Sequence, residues 1–187
     1  MYSASHDGDI RVWKLGAREP DECLRVLTTP PMTEEPKSKV NDNPINCLAI
    51  STERNILVTD RLYGTLLLWS TQTGELLKAY SGHASALTCV LIQDNYLFSG
   101  SRDSFVKVVD LDTDQIVAVM KPSNSQVKSL CVSGNRVFIG CGNGNIYLYD
   151  LRMPSQVERL FRAHTEPVLC LAIYEDHLLS GSDDTMM

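Results

Sequence analysis

Two kinds of side chain in this sequence recur at spacings that could organise chemistry. Cys47, Cys89, Cys131 and Cys170 lie 42, 42 and 39 residues apart, each in a short apolar segment. Thiolates are good zinc ligands, but structural zinc sites draw them from close pairs, and none of the six cysteines belongs to a C-x-x-C pair. The four are therefore read as small buried residues at one repeated position, with no metal assigned. His83 and His164 stand 20 residues before Asp103 and Asp184, which could make an acid–base pair. No nucleophile recurs beside them, so the pairs are read as structural. The run Gly140-Cys141-Gly142-Asn143-Gly144-Asn145 resembles a phosphate-cradling loop, which would have to open a helix. The residues that follow, Ile146 to Tyr149, read as a strand, so the run is assigned to a turn with positive backbone angles.

The elements that must carry these residues show up as a repeat of about 40 residues. Segments around the cysteines form one series. A second runs Ile10 to Lys14, Leu66 to Ser70, Val106 to Asp110 and Ile146 to Asp150, placing Trp13, Trp69, Val109 and Tyr149 at one equivalent position. A third ends in a polar turn: Tyr2 to Asp7, Leu97 to Asp103, Phe138 to Asn143 and Leu179 to Asp184. Short β-rich runs bounded by Gly, Asn, Asp and Ser, with no long helical periodicity, predict repeated antiparallel sheet. The strands are apolar on both faces, as in sheets covered on both sides.

Gly82-His83, Ser99-Gly100-Ser101-Arg102-Asp103 and Val108-Val109-Asp110 together resemble the WD40 repeat. The resemblance spans nearly the whole chain and implies an all-β fold, a WD40-type β-propeller fragment of antiparallel four-stranded blades. Its expected divisions are a partial blade at 1–28, a proline-bearing insertion at 29–44, blades at 45–80, 81–122 and 123–162, and a partial blade at 163–187. Both ends are expected to fall inside a repeat, about half a ring, so that the 187 residues alone should not form a stable monomer. The family's hydrogen-bonded His, Ser/Thr, Asp and Trp network is implied for Ser3, Asp7, Trp13, Thr59, Trp69, His83, Ser99, Asp103, His164, Ser180 and Asp184. Counted six residues before the strand cysteines, the histidine position holds Asn41, His83, Ser125 and His164. No blade shows all four network members.

What the resemblance implies is a non-catalytic scaffold that docks proteins or peptides on its loops and needs no cofactor. The positions matching the family's commonest docking rim are His6, Leu62, Ser85, Arg102, Gly142, Glu166 and Asp183. Tyr149-Asp150-Leu151-Arg152 resembles a motif by which some WD40 proteins dock onto the adaptor of a cullin-type ubiquitin ligase, so a substrate receptor using Tyr149, Asp150 and Arg152 is the alternative. A net charge of −6 without basic runs gives no footprint for nucleic acid. The absence of an apolar stretch of membrane-spanning length, of a signal peptide and of a dense cysteine framework predicts an intracellular protein, cytoplasmic or nuclear and not secreted.

Overall fold

The computed structural model describes residues 1–14, 22–28 and 44–184. The described strands form five antiparallel sheets, each paired in sequence order. The first holds β1 (Tyr2–Ala4), β2 (Asp9–Lys14) and β3 (Glu22–Thr28). The second is β4 (Leu48–Ser51), β5 (Ile56–Arg61), β6 (Thr65–Ser70) and β7 (Leu76–Tyr80). The third is β8 (Leu87–Gln93), β9 (Tyr96–Ser101), β10 (Val106–Asp110) and β11 (Gln115–Met120). The fourth is β12 (Val127–Ser133), β13 (Arg136–Cys141), β14 (Asn145–Asp150) and β15 (Val157–Arg162), and the last pairs β16 (Val168–Tyr174) with β17 (His177–Ser182).

The strands form because β-branched and aromatic residues dominate each run and turn residues close it. The sheets stack through neighbouring inner strands, β4 on β8, β8 on β12 and β12 on β16. Three apolar seams lie between the first and second, the second and third, and the third and fourth sheets. Ile10, Leu27, Leu57, Leu67 and Trp69 fill the first; Val58, Leu66, Leu68, Leu87, Leu97 and Val109 the second; Phe98, Val106, Val108, Met120, Val127, Ile139 and Tyr149 the third. Hydroxyls stitch inner strands across the seams. Thr88 Oγ1 lies 2.8 Å from the Val127 carbonyl oxygen, and Ser129 Oγ donates to the Val168 carbonyl at 2.9 Å.

Bulges recur with the repeat. The pairing shifts between Val12 and Trp13, Leu68 and Trp69, Val108 and Val109, and Leu148 and Tyr149. A bulge re-aims the side chain that follows it, and here it turns that position into the seam.

The pairing corrects the cysteine alignment. A second bulge skips one inner-strand residue, so that Cys89 faces Gly100, Ser129 faces Gly140 and Cys170 faces Gly181. The equivalent of Cys89 in the fourth sheet is therefore Ser129, and Cys131 lies two residues further along the strand. By the same shift Ser123 takes the histidine position there in place of Ser125, its Oγ accepting the Ser125 N–H at 3.1 Å. Burial departs from expectation as well, since Cys170 is exposed on the last sheet. Of the glycines in the run 140–145, only Gly144 has a positive φ, 78°. Residues 29–43 of the insertion, Asn41 included, lie outside the described residues.

Candidate functional site: the loop rim and the polar frame beneath it

In the third, fourth and last sheets the polar turn on this rim meets the segment entering the inner strand. Arg102 N–H donates to the Ala86 carbonyl at 3.0 Å, Gly142 N–H to Gln126 at 2.9 Å and Asp183 N–H to Pro167 at 3.4 Å. Ser101 Oγ reaches the Ser85 and Ala86 carbonyls at 3.1 and 3.0 Å, and Ser182 Oγ donates to the Glu166 carbonyl at 3.0 Å. The backbone of this rim is thus pinned while side chains stay available: His6, Arg102, Glu166 and Asp183 are exposed, and Leu62, Ser85 and Gly142 half-buried. Consecutive sheets also meet at the rim. A Cβ on Gly64, whose φ is +71°, would sit 2.6 Å from the carbonyl oxygens of both His83 and Ser85. Gly144 stands in the same place against His164.

Beneath the rim two sheets carry a buried relay. His83 Nδ1 donates to Asp103 Oδ2 at 2.9 Å, and Nε2 lies 2.9 Å from Ser99 Oγ. Since a carboxylate only accepts, the imidazole proton sits on Nδ1 and the Ser99 hydroxyl donates to Nε2. Asp103 also accepts the N–H groups of Ala84 and Phe105 at 2.9 and 3.0 Å. Burial pushes the His83 imidazole below its ordinary value, against the upward pull of Asp103. The relay repeats in His164, Asp184 and Ser180, at 3.0 and 2.8 Å.

In the first two sheets the indole end survives instead. Trp13 Nε1 donates to Ser3 Oγ at 2.7 Å and Trp69 Nε1 to Thr59 Oγ1 at 3.0 Å. Asp7 does not join Ser3 and Trp13; it accepts the Asp9 N–H at 3.0 Å and pairs with Arg11 at 3.3 Å in solvent. Tyr63 occupies the acid position of the second sheet and is exposed. Asn143 Nδ2 donates to the Tyr147 hydroxyl at 3.2 Å. Sequence reasoning missed Asp60. Buried at 1% exposure, it accepts the Asn46 and Cys47 backbone N–H groups at 2.7 and 3.0 Å and the Asn46 side-chain amide at 2.8 Å. The available signal was an aspartate where the other sheets hold Gly100, Gly140 and Gly181.

On the opposite rim, Arg152 closes onto Asp150. Its Nε lies 2.9 Å from Oδ1 and Nη2 2.5 Å from Oδ2. The guanidinium beside it holds the Asp150 carboxyl down at about 2. Tyr149 is buried in the third seam, so of the three candidate adaptor residues only Arg152 is widely exposed. Among the described residues no group of three or more His, Cys, Asp or Glu side chains is placed to hold a metal ion. No described helix is long and apolar enough to cross a membrane.

Short antiparallel sheets in sequence order, repeated about every 40 residues and stacked on their inner strands, are the blades of a β-propeller-type protein. Residues 74–110 and 155–187 match the model of the WD domain, G-beta repeat. The chain belongs to the WD40 family. It is 30% identical over 147 residues, 72% of its length, to the GATOR2 complex protein WDR24 of Danio rerio, of which it covers 19%. It is 27% identical to the Autophagy-related protein 16 of Arabidopsis thaliana, over 91% of this chain and 32% of that one. Among solved structures, the computationally designed Ika8 protein superposes with a TM-score of 0.79 and 29% identity, over 98% of this chain and 52% of that chain. Designed Ika4 gives 0.69 and 32%, over 76% and 87%. The chain thus spans a third or less of the two curated relatives.

Proposed function

We propose that this protein is a non-catalytic scaffold that holds partner proteins or peptides on the rim formed by His6, Leu62, Ser85, Arg102, Gly142, Glu166 and Asp183. The observation that carries the reading is the rim's construction: a backbone pinned in the third, fourth and last sheets, with charged side chains left in solvent. A surface ordered in advance costs little to present, which is what a docking face needs. Similarity to a protein named as a member of a complex agrees with it. All six cysteines are free thiols, which suits a reducing, intracellular compartment.

The test is affinity purification of the intact protein against a rim variant, Arg102→Glu with Asp183→Lys, that keeps its melting temperature. Loss of the wild-type partner set from the variant is expected; an unchanged set sinks the rim assignment. The ligase alternative rests on Arg152, whose guanidinium is already engaged by Asp150. Arg152→Ala is therefore expected to leave the partner set intact, and selective loss of a cullin adaptor would reinstate that alternative.

A further inference from the structure

The second seam contains a cavity of about 210 Å³ between β7 and β10, lined by Leu66, Tyr80, His83, Ser99, Lys107 and Val109. Its origin can be read from the neighbouring seams. In the first, Trp69 packs on Ile10 and Leu27; in the third, Tyr149 packs on Val106 and Met120. Pairing makes Leu66 with Tyr80 the equivalents of those residues, since Ile10 faces Leu27, Leu66 faces Tyr80 and Val106 faces Met120. The same bulge aims Val109 into the seam, but valine is too short to fill it. Lys107, at the place of buried Leu67, lies at the cavity's edge and donates to the carbonyl of Gly82, another lining residue.

The polar end of the seat is built too. Ser99 is 1% exposed and gives its proton to His83 Nε2. Its oxygen holds the place where Ser3 and Thr59 accept an indole N–H. Its hydroxyl also lies 3.4 Å from the Lys107 carbonyl oxygen, and beside these contacts the oxygen keeps a lone pair for a ligand that brings a donor. A cavity of roughly 150 Å³ suffices for benzene, so this one has room for a larger ring.

We infer that the cavity between the second and third blades is a docking seat for the tryptophan side chain of a partner protein's segment, with Ser99 accepting its indole N–H. Leu66, Tyr80 and Val109 contact the ring, and Lys107 stands at the mouth where its ammonium can face the π-system. Half-exposed Ile116 on β11 offers apolar contact to the residues flanking the tryptophan. Buried aromatic anchors of this kind carry a large share of binding energy at interfaces. The assignment rests on the scaffold reading for the source of the ring; the cavity adjoins the rim at Gly64 and His83 but takes in none of the seven rim residues named above.

The measurement is methyl NMR on the intact protein titrated with indole, 1-methylindole and N-acetyltryptophanamide. Indole and the amide should shift Val109 and Ile116, and 1-methylindole, lacking the donor, should bind about fivefold more weakly. Val109→Trp should abolish the shifts by filling the seat from within; Ser99→Ala, which keeps the cavity, should erase the preference for indole over 1-methylindole. A random peptide library selected on the wild type and counter-selected on Val109→Trp should enrich tryptophan at one position. Unmoved methyls, equal binding of the two indoles to the wild type, or undiminished binding to Val109→Trp would each overturn the seat. Binding of free indole with no tryptophan enrichment among peptides would overturn the partner-segment assignment. These readouts involve no rim partner, so their failure is distinct from failure of the rim experiment.

Discussion

At the scale of single residues, incomplete networks make the energetic consequences separable. Thr59→Val leaves the Trp69 N–H buried without its acceptor and should cost about 1–3 kcal/mol. Ser3→Ala, at the half-buried counterpart, should cost about 1 kcal/mol or less; urea melts of the two variants make the comparison. His83 gives a pH signature. Its folded pKa lies below 6.5 because of burial, with Lys107 adding to the depression. The unfolded chain thus takes up this proton at higher pH than the folded one, so the stability linked to it is present above 6.5 and is lost as pH falls through the folded value. Asp103 acts lower. Burial raises it, but the Ala84 and Phe105 N–H groups and His83 outweigh that, so its share fades as pH drops from 3.8 through its folded value. Melting temperature measured from pH 7 to pH 5 should fall less steeply in His83→Gln than in wild type. Equal slopes would mean that His83 is not held neutral.

At the scale of elements, the turn after the second strand decides how closely one sheet approaches the next. Gly64→Ala combines an unfavourable φ with a Cβ driven into two carbonyls and should destabilise by about 2–4 kcal/mol. Ser104 holds the equivalent turn position of the third sheet at φ 74°, where Ser104→Gly should stabilise by about 0.5–1 kcal/mol. Denaturation midpoints that moved in the same direction would refute this. The strand repeat was legible because apolar runs are bounded by turn residues at a constant period. What the period concealed was an exchange of residue types: the third, fourth and last sheets share one bulge, but in the fourth Ser129 holds the place of Cys89 and Cys131 that of Leu91, so a cysteine marker there lies two residues off. Asp60 was invisible for a related reason, because an aspartate in a strand reads as polar surface until two backbone N–H groups are found beside it. Valine at the tryptophan position was legible, but the cavity also needed Lys107 to reach along its edge to Gly82, a matter of packing.

At the scale of the whole molecule, burial is uneven along the stack. Phe98 is fully buried in the third seam, whereas Leu179, its equivalent on β17, is 54% exposed, with Leu169 and Cys170 on the neighbouring strand exposed as well. An apolar face of this kind promotes association, so the 187 residues on their own should run as oligomers in light scattering, and a sharp monomer would contradict the exposure described. Thiol labelling makes a finer map. Burial raises the Cys89 and Cys141 thiols to about 12, and these should react slowly, while exposed Cys23 and Cys170 react fast. Slow labelling of Cys170 in a longer polypeptide would report another sheet packed on β16.

The bulge before Val109 carries a consequence for how such molecules diversify. Because the bulge aims one side chain into each seam and replacing that side chain leaves the backbone pairing as it is, changes at that codon and at that of Lys107 exchange a sealed joint for an open socket while the frame stays as it was. A lineage could therefore acquire or close ring-sized sockets blade by blade, and the same stack would come to hold different guests with little change in its foldability.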